Sequence, residues 1–192
     1  CVAMKEAHFF KAKSHLGIIH PTRVEHSLNV GVEDAPDYIL TVDFLKHLPL
    51  SQVDLYEFPY PSKPDPVGYQ EMLAASAKKF SEVINSKMKR GQIQIVVGGD
   101  HSVALGSIMA LLERVNPNRI GVVQIDSHAD INTFSSSPSG NFHGMYLRAL
   151  VEDIDSVAIA RVTTQKITIR NLIYIGNLDL NPEESSFIRD HS

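Results

Sequence analysis

Residues 120–130 read IGVVQIDSHAD, an apolar run cut off by a carboxylate, an imidazole and a second carboxylate at alternate positions. In extended backbone alternate side chains share a face, so Asp126, His128 and Asp130 are predicted to point one way and Ser127 and Ala129 the other. Oxygen and imidazole donors without a thiolate suit a hard or borderline divalent ion, Mn²⁺ ahead of softer metals. A structural zinc site would want cysteines. Taken alone, D-x-H-x-D fits a solvated strand-end turn equally well. A second imidazole shifts the balance: residues 92–99 read QIQIVVGG and end in Asp100-His101-Ser102, ahead of helical spacing over 103–115. By itself His101 reads as a helix-start histidine bonded locally. Neighbouring parallel strand ends lie about 4.8 Å apart, however, and open α/β sheets place chemistry at those ends, so His101 can complete a site begun by the other three. Gly98 and Gly99 would let backbone approach closely there.

The elements that must hold these residues alternate between strand and helix, which defines the α/β class with a mostly parallel sheet. Strands are predicted at 16–19, ended by His20-Pro21, at 51–58, and within 166–176. Helical spacing appears over 37–48, with Tyr38, Leu40, Phe44, Leu45 and Leu48 as its apolar face, over 68–89 and over 147–155. The turn-rich segment 60–66 reads as a surface loop rather than a domain linker, and residues 1–13 offer no motif. With 192 residues, 43% of them hydrophobic, the chain can bury a core as one domain, 1–192. Its single cysteine excludes a disulfide scaffold. A formal charge of −4 with scattered acids and bases gives neither a nucleic-acid footprint nor a membrane patch. No apolar run approaches a membrane span, so the cytoplasm is the expected compartment.

Three ordered motifs, GGDHS at 98–102, DSHADINT at 126–133 and SGNFHGM at 139–145, resemble the successive signatures of the ureohydrolases, and within them arginase. Weaker likeness extends to 31–36 and 174–176. The resemblance implies a three-layer α/β/α fold and a pair of Mn²⁺ ions, whose bridging hydroxide attacks the guanidinium carbon of L-arginine to release L-ornithine and urea. By likeness His101 and Asp130 hold one ion, His128 the other, and Asp126 bridges both. Ions about 3.5–4 Å apart acidify a shared water near neutral pH. His143, by the same likeness, shuttles protons, a role suited to an imidazole titrating near about pH 6.5, and Asp130 joins it as a catalytic residue.

Asn132, Ser139 and Asn141, by resemblance, read the α-carboxylate of an amino acid through neutral hydrogen bonds. Agmatine lacks that group, which favours arginase over agmatinase or another guanidino-acid ureohydrolase. The family carries an aspartate for the α-amino group where this chain has Asn181; Glu184 remains, and Asp179 is a candidate substitute. Family members assemble as trimers or hexamers, so a homo-oligomer is expected.

The chain departs from the family pattern in two places. Residues 22–30 are not glycine-rich, and His20 and His26 have no family counterpart. The family also needs a later D-x-D pair and a glutamate beyond it, and nothing after Gly176 reads D-x-D. The fold is therefore expected to be incomplete at its C-terminus by about a hundred residues, more than loop variation explains. The alternative function is that of a shortened paralogue, poor in metal, acting as a non-catalytic binding or regulatory partner.

Overall fold

In the computed structural model, which describes residues 6–18, 31–48, 52–59 and 65–191, every strand pairing is parallel. Strands β1 (Ala7–Lys13), β2 (Val53–Glu57) and β3 (Ile93–Gly98) form one sheet in the order β2-β1-β3, while β4 (Val122–Ile125) and β5 (Leu172–Ile175) form a second. The helices are α1 (Ala35–Ile39), α2 (Val42–Leu45), α3 (Pro66–Lys87), α4 (Val103–Leu112), α5 (Tyr146–Val151), α6 (Val157–Val162) and α7 (Pro182–Asp190). This is the expected α/β class with helices flanking parallel strands.

The central strand is β1, in the stretch where the sequence shows no motif. Its alternation is a two-faced burial: Phe10 and Ala12 pack with Phe80 and Ile84 of α3 and Val103 and Ala110 of α4, while Ala7 and Phe9 pack with Leu40 on the opposite side. The polar residues that disguise it are matched one by one. His8 is fully buried with Nε2 2.7 Å from Asp54 Oδ2, Lys11 reaches Asp37, and Lys13 reaches Asp34 and Asp37. Leu16 is buried as expected of a strand, but residues 14–18 form a turn: the Asp100 carboxylate accepts from Ser14 Oγ and Gly17 N and so binds the chain across the sheet edge.

The 37–48 periodicity does not survive. Leu40 leaves helical backbone, Thr41 caps a new helix by accepting from Phe44 N, and Tyr38 and Phe44 are exposed. Leu40, Leu45 and Leu48 still pack against Ala7 and Phe9, and the ion pairs of Asp34 and Asp37 with β1 help orient the segment. The long helix forms much as its spacing predicts. Asp65 accepts from Val67 N and Gly68 N, Pro66 takes the first turn, and Leu73, Ala77, Phe80 and Ile84 recur on one buried face. The 147–155 helix ends early, at Val151, and Ser156 caps α6, which the spacing did not show. Residues 19–30 and 60–64, which include His20, His26 and most of the turn-rich segment, lie outside the described residues.

Candidate metal centre

β3 and β4 are not hydrogen-bonded neighbours among the described residues, contrary to the adjacency assumed from their motifs. Their carboxyl ends converge all the same. His101 follows β3 and Asp126 follows β4, and a cleft of about 480 Å³ between them is lined by Val96, Gly98, Gly99, His101, Ile125 and Asp126. Close approach at β3 requires glycine: a Cβ on Gly99 would lie 2.0 Å from the Ser14 carbonyl oxygen. Asp100 closes the turn from inside, adding Ser102 N to its two donors.

Residues 126–128 are bent rather than extended, and Asp130 adopts φ +53°, a left-handed conformation that aspartate tolerates better than most residues. The simple alternation predicted for Asp126, His128 and Asp130 therefore fails. What gathers instead is His101, Asp126 and Asp130, with one ligand atom from each within 4.8 Å of the others. His101 Nδ1 lies 2.7 Å from Asp130 Oδ2 and 3.4 Å from Asp126 Oδ2. His128 stands on the far side of Asp126, its Nδ1 3.5 Å from Oδ1, with Nε2 3.6 Å from Asp179 Oδ2. The two oxygens of Asp126 thus face two different imidazoles. Burial works to lower the pKa of His101, but the Asp130 carboxylate, with Asp126 and Asp100, outweighs it and raises the value.

His143 sits beside this cluster, where burial depresses its pKa against the opposing charges of Asp100 and Asp130. Its Nδ1 is buried without a hydrogen-bond partner, while its backbone N–H donates to Gly17. Asn132 is buried, and its Oδ1 accepts from Ser136 Oγ at 3.2 Å and from Asn181 Nδ2 at 3.0 Å. Ser139 Oγ accepts from Asn141 N. The serine-rich stretch between them is an ordered turn, because the Asp155 carboxylate accepts from Phe134 N and Ser135 N, each at 2.8 Å.

Asn181 and Glu184 form a reciprocal capping box at the start of α7, the Asn181 side chain accepting from Glu184 N and the Glu184 side chain from Asn181 N. They meet the candidate site through Asn132. Sequence reasoning missed Gln124, Tyr146 and Asp155. The one available signal was Gln124, a lone amide inside an apolar strand.

A parallel α/β scaffold with carboxylates and imidazoles gathered beyond its strand ends defines the class, a protein with a site whose donors fit a hard divalent ion. A family model, the Arginase family, matches residues 17–192. An arginase of Emericella nidulans is 30% identical over 95% of this chain and 62% of its own length, and human arginase-1 is 32% identical over 93% and 59%. Among solved structures, Entamoeba histolytica arginase in complex with L-ornithine matches with a TM-score of 0.79 at 25% identity, over 97% of this chain and 62% of that one. Bacillus subtilis arginase matches with a TM-score of 0.69 at 28% identity, over 97% and 61%. The chain belongs to the arginase family. It spans 59–62% of the length of these two curated relatives.

Proposed function

We propose that the protein carrying this chain hydrolyses the guanidinium group of L-arginine to L-ornithine and urea with Mn²⁺. The observation that carries the reading is the placement of Asp126, one carboxylate oxygen toward His101 and Asp130 and the other toward His128. In that reading His101 and Asp130 would hold one ion, His128 a second, and Asp126 would bridge them. The ion pair would supply a water acidified to a nucleophile near neutral pH. The chain's own residues do the rest. Asn132, Ser139 and Asn141 would receive the α-carboxylate; Asn132 has both of its described side-chain bonds on Oδ1, so its amide nitrogen suits that contact. Asn181 and Glu184 would act on substrate through Asn132 and the α7 cap. His143, whose pKa burial lowers and whose Nδ1 is buried without a hydrogen-bond partner, would take a proton from water and then pass it to the departing amine.

The test is urea release from L-arginine by the Mn²⁺-loaded protein, with agmatine alongside and His128→Ala as control. L-arginine should be the better substrate. His128→Ala should lose more than the about 10–100-fold that removing a ligand's supporting contact costs. No urea from either substrate rejects the enzyme in favour of a non-catalytic partner; agmatine preferred rejects the carboxylate-reading loop.

A further inference from the structure

Gln124 is the one polar side chain of β4, and it is buried. A buried amide must place its donors and acceptor or lose about 1–3 kcal/mol for each group left unmet. Gln124 Nε2 donates to Asp130 Oδ2 at 3.3 Å and to the His128 carbonyl at 3.2 Å, and Oε1 accepts from the Tyr146 hydroxyl at 3.0 Å. The orientation of the amide is decided by its surroundings. A carboxylate and a carbonyl are both acceptors, so only the nitrogen can face them, and the oxygen is left for Tyr146. Burial pushes the Tyr146 phenol far above its usual range, so it remains a donor.

The same tyrosine begins α5, and its ring lies 4.6 Å from that of His101. The next residue, Leu147, donates its backbone N–H to the Asp130 carbonyl. One tyrosine and one glutamine thereby touch three of the four residues assigned to metal.

We propose that Tyr146 and Gln124 are positioning residues, a buried relay that aims the Asp130 carboxylate at His101 and fixes the 128–130 turn for metal uptake. The proposal rests on the metal-centre reading given above. Without the relay, the Asp130 carboxylate keeps its His101 contact but loses the Gln124 bond that also restrains rotation about Cβ–Cγ, and the 128–130 turn loses the anchor on the His128 carbonyl. Ligands that must be ordered on binding bind more weakly than ligands already in place.

Mn²⁺ titration calorimetry on the purified metal-free protein, with apo melting temperatures measured in parallel, tests this without recourse to turnover. Gln124→Met keeps the volume and removes the donors, and should weaken Mn²⁺ affinity by about 10–100-fold. Tyr146→Phe keeps the ring against His101 and removes only the hydroxyl, and should weaken it by less, in the same direction; it also carries the test if Gln124→Met does not fold. Wild-type affinity in folded Gln124→Met, or in Tyr146→Phe where that variant stands alone, overturns the relay and leaves the metal centre standing. No Mn²⁺ uptake by the wild type overturns both, since the relay would then have nothing to serve.

Discussion

Asp126 and Asp100 show how differently two carboxylates beyond strand ends can be used. Asp126 is half-buried between two imidazoles with one backbone donor, His128 N, at 3.0 Å. Asp126→Asn preserves its size but puts a nitrogen donor where one acceptor stood, so under the proposed two-ion reading metal stoichiometry should fall from two Mn²⁺ to one or none, read by elemental analysis after desalting. Asp100, in contrast, is buried on three donors, Ser14 Oγ, Gly17 N and Ser102 N. Removing it strands those donors inside the protein. Asp100→Ala should cost about 3 kcal/mol or more of stability, measured by denaturant unfolding, because each bond to a charged group is worth about 1.5–3 kcal/mol.

At the scale of elements, the loop after β4 is held by the segment joining α5 to α6. Asp155 is exposed, yet its carboxylate bonds the backbone of two successive loop residues. Burial would raise its pKa; the Ser135 hydroxyl and the amides of Phe134 and Ser135 outweigh it and hold the value below the usual carboxylate range. A carboxyl group depressed in the folded state contributes above its unfolded pKa, and the contribution is lost as pH falls through the folded value. Amide exchange at Phe134 and Ser135 should therefore lose protection at acid pH, after correction for intrinsic rates. Asp155→Asn should show the reduced protection already at neutral pH; equal protection in both proteins at neutral pH would remove the clamp from the account.

For the molecule as a whole, a metal that binds only the folded state must stabilise it. At about one hundred times its dissociation constant, Mn²⁺ adds about 2.7 kcal/mol, which for a chain of this size raises the melting temperature by roughly 5–11 °C. Thermal melts with Mn²⁺ and with chelator read this directly, and coincident curves would argue against a folded-state site. The two sheets also expose apolar strand residues: Val123 and Ile125 of β4 and Ile173 and Ile175 of β5 in one, Val53 and Leu55 of β2 and Ile93 of β3 in the other. Both sheets are narrow and entirely parallel, an arrangement that usually has both faces covered.

What was legible in the sequence is what depends on local order. The motif residues, the long helix with its Asp65-Pro66 start and the strand runs at 93–98 and 122–125 each announce themselves through spacing or punctuation. β1 did not, because its histidine and lysines find their partners in Asp54, Asp34 and Asp37, residues from distant segments. The capping box at 181–184 is a local pattern, carried by the residues whose likeness suggests a substrate contact. The sequence by itself determined the donor types and the family. Only the tertiary structure decided which donors meet, since the left-handed turn at Asp130 and the burial of Gln124 bring His101 to Asp126 and Asp130 across 25 residues or more of chain and leave His128 on the other side.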